Sequence, residues 1–180
     1  MSAAFATPNP LRPIRCDDDG LLQQFVRDLS PRSRQRRFLG TFAELPAKLS
    51  RALSCVDGVR HVAFVVEEPG RNGQRLIAEG RLARSADDGS AEVALAVADA
   101  WQGLGIGSRL MAELFATARR DGIHTLSGQL LRDNRPAARL LTKFGFTLEP
   151  HSDDPILLRA TANRFSSPTT APVRRTLLGA

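Results

Sequence analysis

The sequence predicts a mixed α/β domain with antiparallel and parallel parts, and three observations carry that prediction. Residues 61–97 hold three β-rich runs separated by turn signals, the pattern of an antiparallel meander. After residue 100, helical and strand patterns alternate, the order that builds parallel pairing. The chain has 180 residues, 42% apolar and 24% charged, enough for one ordinary core and too few for two.

Each element has a local reason. Residues 1–10 are small, polar and proline-containing, so a flexible N-terminus is expected before a domain spanning 11–163. "PIRC" starts a short strand. "DDDG" offers a helix cap, and apolar residues at 21, 22, 25, 26 and 29 make one helical stripe. Ser30 and Pro31 repeat the start signal for "SPRSRQRRF", and "LPAKLSRAL" is a further short helix. "RHVAFVVEE", "LIAEGRLARS" and "AEVALAV" are the meander, with Asn72-Gly73 as a hairpin turn. Apolar residues at 110, 111, 114, 115 and 118 put one face on a helix over 107–121, closed by Gly122. "HTLSGQLL" is a strand, "NRPAARLLTKF" a helix started by Asn134 and ended by Gly145, and "GFTLEP" and "DPILLRATA" are two more strands. The tail 164–180 is expected to be flexible.

No apolar run is long enough for a membrane span, and the N-terminus lacks the early positive charge and apolar core of a secretory signal. Cys16 and Cys55 make neither a disulfide framework nor a zinc site, so a reducing cytoplasm is the simplest compartment. His61, His124 and His151 have no ligand spacing, and no metal is expected. The net charge of +6 favours phosphates, nucleic acid or an acidic protein face. With one Trp and no Tyr, the chain lacks the aromatic platform of a single-strand nucleic-acid binder. The cluster "RSRQRR" at 32–37 reads either as a solvated face or as a surface that steers an acidic partner.

The stretch "ADAWQGLGIGSRLM" places three glycines in five positions before an amphipathic helix. A helix N-terminus carries unpaired N–H groups and partial positive charge, and glycines let an anion touch the backbone. A P-loop is excluded because no Lys precedes Ser108, and a Rossmann fingerprint because the motif follows an antiparallel meander. A plain glycine turn without a ligand stays open. So does Gln102-x-x-Gly105-x-Gly107, which follows a strand and opens a helix.

That last pattern resembles the pyrophosphate loop of the GNAT superfamily of N-acetyltransferases. "NRPAARLLTKFGF" resembles the family's downstream N-x-x-A…GF segment. The likeness is strong over 90–148 and extends over about 11–160. "LSPRSRQRRF" and "AEVALAVADAWQGLGIG" are most similar to the catalytic domain of Pat-type protein lysine acetyltransferases. The resemblance implies the GNAT fold, a mixed sheet of about six or seven strands flanked by helices. It also implies acetyl-CoA as co-substrate. The loop residues Gln102, Gly103, Leu104, Gly105, Ile106, Gly107 and Ser108 would bind it, with Asn134 and the backbone of Leu95, Ala96 and Val97. Arg139 is placed to reach a cofactor phosphate or to be a solvated helix residue.

Acetyl transfer needs a neutral amine, and a free lysine has a pKa near ~10.4. A carboxylate must therefore take a proton. "AEVALAV" alternates, with Ala91, Val93, Leu95 and Val97 on one face and Glu92, Ala94, Ala96 and Ala98 on the other. A lone carboxylate on an alanine face suits a ligand-facing surface, though it also suits close helix packing. The Pat resemblance implies that Glu92 is the general base. Many GNAT enzymes protonate the leaving thiolate with a Tyr; here Leu141 stands at that position. The expected activity is acetyl transfer to an amine, a protein lysine ahead of a small amine. A non-catalytic acyl-CoA sensor is the alternative, and the chain is expected to be a monomer or homodimer.

Overall fold

All seven expected strands join one sheet, in the order β1-β2-β3-β4-β5-β7-β6. They are β1 (Leu11–Pro13), β2 (His61–Gly70), β3 (Gly73–Arg84), β4 (Ser90–Val97), β5 (Thr125–Leu131), β6 (Thr147–Pro150) and β7 (Leu157–Asn163). The helices are α1 (Asp19–Asp28), α2 (Pro31–Phe38), α3 (Ala47–Ser54), α4 (Ile106–Arg120) and α5 (Arg135–Lys143). This computed structural model describes residues 9–40, 43–70, 73–86 and 89–163. Asn72 of the hairpin turn, most of the N-terminal segment 1–10 and the tail 164–180 lie outside the described residues.

The caps act as the sequence suggests. Ser30 Oγ accepts from Ser33 N (3.2 Å) at the start of α2, and Asn134 Oδ1 accepts from Ala137 N (3.3 Å) at the start of α5. A single helical turn at Asp99–Trp101, which no sequence signal announced, follows β4.

Both faces of the sheet are covered, which explains why β2 is apolar on consecutive residues. Phe64 and Val66 join the core under α4, with Leu110, Met111 and Leu114. Ala63 and Val65 join the core under α1, with Leu22, Phe25 and Val26. The expected alternation of β4 holds. Ala91, Val93, Leu95 and Val97 face α4, and Ala96 and Ala98 face α1.

Every strand pair is antiparallel except β4–β5, and that pair is short. It runs only through Ser90↔Thr125, Ala91↔Leu126 and Glu92↔Ser127. Beyond it β4 stays with β3 as far as Val97↔Ala78, while β5 stays with β7 as far as Leu131↔Leu157. The two strands part after Glu92. Gly128 sits at the fork: a Cβ there would lie 3.0 Å from Val93 O, so any side chain would push β5 away.

The cysteines require a correction. Cys16, just after β1, and Cys55, at the end of α3, form a disulfide. Two lone cysteines 39 residues apart gave no spacing signal; they meet because α1 and α3 pack together. The pairing removes the support for a reducing compartment. Among the described residues, no helix is long and apolar enough to cross a membrane. Closing such a loop constrains the unfolded chain by about 4 kcal/mol in the chain-entropy model. A dithiol reductant is therefore expected to lower the melting temperature of the wild-type protein but not of Cys16→Ser. Equal melting with and without reductant would show that the bond contributes nothing to stability.

Candidate active site

The glycine loop has the geometry of an anion cradle. Gly103 and Gly105 adopt φ of 79° and 84°, which side-chain-bearing residues rarely tolerate. Gly105 is the N-cap of α4, and no side chain satisfies that end; no acidic residue sits in the first turn. The N–H groups of Ile106, Gly107 and Ser108 have no carbonyl one turn back to donate to.

The loop is locked to the rest of the site. Gln102 Nε2 donates to Val97 O (3.1 Å) and Ser33 Oγ (3.2 Å). Asp99 accepts from Ser30 N (2.9 Å), Ser30 Oγ (2.7 Å) and Ser33 Oγ (2.7 Å). Partial burial works to raise the Asp99 pKa, but these hydrogen bonds outweigh it and hold the carboxyl below its usual range. Asp99 therefore ties the N-terminus of α2 to the loop. Sequence reasoning missed it because the partners are 66 and 69 residues apart.

A cavity of about 470 Å³ lies in the fork between β4 and β5, with α2, α4 and α5 around it. That size suits a cofactor or extended ligand. Of the expected residues, Leu95, Ala96, Val97, Gln102 and Gly103 line it, as do Gly105, Gly107, Ser108 and Asn134. Leu104 is on the loop's outer edge, 66% exposed, and Ile106 is in the core; neither lines the cavity. Arg36, Arg37, Arg139 and Lys143 are the charged lining residues, so the described lining is cationic without a carboxylate. Leu141, at the place of the family's Tyr, presents only carbon.

Glu92 is exposed and stands outside the cavity lining, at the last parallel pair before the fork. By alternation it shares the face of Ala94 and Ala96. A second carboxylate on that face, Glu79 of β3, is buried at 2% exposure. Arg37 Nε donates to its Oε1 (2.5 Å) and Arg81 Nε to its Oε2 (3.0 Å). Burial pushes Glu79 up, but the two guanidiniums outweigh it and hold the carboxyl below its ordinary value. Such a carboxylate is a poor proton acceptor.

The members of the arginine cluster have different partners, and Arg32 stays two-thirds exposed. Arg32 and Arg36 share a face, as their spacing implies, but both pair with Asp133 (3.2 and 3.7 Å). Arg34 donates to the carbonyls of Arg27 (3.0 Å) and Leu29 (2.7 Å), and Arg37 is buried on Glu79.

A family model described as the acetyltransferase (GNAT) domain matches residues 60–148. Acetyltransferase PA5475 of Pseudomonas aeruginosa is 34% identical over 146 residues, covering 80% of this chain and 77% of that protein. The chain belongs to the GNAT acetyltransferase family. Within that family it is similar to acetyltransferase Pat of Mycolicibacterium smegmatis, 31% identical over 79% of this chain. There it spans only 45% of the relative's length. The crystal structure of the GNAT domain of S. lividans PAT superposes with a TM-score of 0.77, at 28% identity, over 85% of this chain and 89% of that one. This GNAT acetyltransferase is an enzyme of mixed α/β fold.

Proposed function

We propose that this GNAT acetyltransferase moves an acetyl group from acetyl-CoA to a protein lysine by direct attack, with Glu92 as general base. The observation that carries this is the fork: β4 and β5 part after Glu92, and the gap leads to the uncapped, glycine-bounded N-terminus of α4. The parts fit the substrate. The first-turn N–H groups of α4 suit a pyrophosphate. The edge of β4 from Leu95 to Val97 that β5 leaves unpaired, where Val97 O accepts from Gln102 Nε2, suits the amides of pantetheine. Arg139 and Lys143, four apart on α5, suit the remaining phosphate.

In the reaction the amine nitrogen bonds to the thioester carbonyl carbon, the carbon–sulfur bond breaks, and the sulfur leaves as thiolate. Glu92 takes the amine's proton, directly or through a water. No tyrosine exists to protonate the thiolate, and Leu141 keeps that part of the cavity apolar. Glu79 is left out of proton transfer by its two arginines.

The similarity to Pat supports a protein lysine over a free amine. Incubation with labelled acetyl-CoA and a panel of proteins and small amines tests this. Label is expected in lysine side chains of protein acceptors. Label in small amines alone would replace the lysine by a small-molecule acceptor, and bound but unconsumed acetyl-CoA with every acceptor would point to a sensor.

A further inference from the structure

Two arginines and one carboxylate form the buried Arg37–Glu79–Arg81 group, which therefore keeps one positive charge in excess. Its members are well held. Glu79 is 2% exposed, and the side chains of Arg37 and Arg81 are 9% and 13% exposed. Arg81 also donates from both terminal nitrogens to Leu53 O at the end of α3 (3.3 Å each). Arg37 uses only its Nε on Glu79, and its guanidinium lies 4.8 Å from the Phe38 ring centroid. Its two terminal nitrogens have no hydrogen-bond partner among the described residues, although the side chain is nine-tenths buried and lines the cavity. The buried stem and Nε fix the guanidinium in place, and its two terminal nitrogens are left as donors on the cavity wall, where a ligand can replace water.

The register says where that ligand group would lie. Glu79 is directly opposite Ala96, and Arg81 opposite Ala94. Cross-strand partners share a face, so Arg37 stands over the alanine face that also carries Glu92. Arg36 turns its Nη2 to Asp133, whose backbone O accepts at 3.3 Å, and its Nε is buried without a partner. Arg139 and Lys143 are on α5. Arg37 is thus the cation at the β4 side of the fork, and a guanidinium with two free terminal nitrogens matches a carboxylate in bidentate geometry.

We propose that Arg37 is a specificity determinant that binds a carboxylate of the substrate beside the acyl-transfer position. This rests on the cavity being the acyl-CoA site. The carboxylate has two possible sources, the far end of a dicarboxylic acyl group or an acidic residue next to the acceptor lysine. Both place the same chemistry on Arg37.

Steady-state rates with matched pairs test it. The donor arm compares succinyl-CoA with butyryl-CoA, and the acceptor arm compares lysine peptides flanked by Glu or by Gln. The proteins are wild type, Arg37→Lys, Arg37→Gln and the double variant Arg37→Gln/Glu79→Gln. The double variant avoids leaving Glu79 with half its partners, and thermal melting confirms that each protein is folded. Wild type is expected to favour the carboxylate member of one arm by about 10–100-fold in kcat/KM, the scale of a charged hydrogen bond. That preference should vanish in the double variant and partly survive in Arg37→Lys. The arm that shows it names the source. No preference in either arm, or a preference unchanged without Arg37, overturns the proposal. Calorimetric titration of wild type with acetyl-CoA separates the two failures, because absence of binding there would refute the acyl-CoA site itself.

Discussion

Glu92→Gln is expected to lower kcat by about 10²–10⁴, the usual scale for loss of a general base, with acetyl-CoA affinity nearly unchanged. Attack by an amine creates a positively charged nitrogen that must shed a proton before the product is stable. Glu92 is the β4 carboxylate at the point where the strands part, on the face it shares with Ala94 and Ala96. Glu79, on the same face, is committed to Arg37 and Arg81 and cannot substitute. Because Glu92 does not line the cavity, its amide should leave cofactor contacts intact. A variant with near-wild-type kcat would show that the proton goes elsewhere.

Gly105→Asp is expected to weaken acetyl-CoA binding by about 10²–10³-fold, and Gly105→Ala by much less. Two effects combine in the aspartate. Any side chain at φ 84° carries about 1–2 kcal/mol of backbone strain. An aspartate at the N-cap would also accept the first-turn N–H groups and place negative charge where the proposed site takes a phosphate, worth a further ~2 kcal/mol or more. Alanine brings only the strain, since nothing lies within 4 Å of its Cβ position. Calorimetry on both variants separates the two effects. Equal affinity of Gly105→Asp and wild type would remove the loop from the site.

Much of this molecule was legible because its signals are local. Ser30 and Asn134 announced their helices, and each caps one. The period-2 pattern of β4 reported its two faces, and the glycines marked the mouth of α4. What periodicity does not carry is register. The sequence shows that β4 and β5 exist but not that they pair for only three residues, and that separation opens the cavity. Gly128 read as an ordinary strand residue, because the Val93 carbonyl it must avoid comes from another strand. Long-range polar contacts were equally hidden. The Asp99 lock on α2, the Arg37–Glu79 pair and the Cys16–Cys55 bond join residues 39 to 69 apart, and no local pattern specifies such partners. The arginine run shows the consequence most plainly. Identical residues one or two positions apart went to a surface acid, to backbone carbonyls and to a buried carboxylate.

The crystal structure of the protein with acetyl-CoA tests the central claim most directly. It should place the pyrophosphate within hydrogen-bond distance of the backbone nitrogens of Ile106, Gly107 and Ser108, with pantetheine between β4 and β5 and the thioester on the Glu92 side of the fork. A cofactor bound outside the fork, with the first turn of α4 left uncontacted, would contradict it.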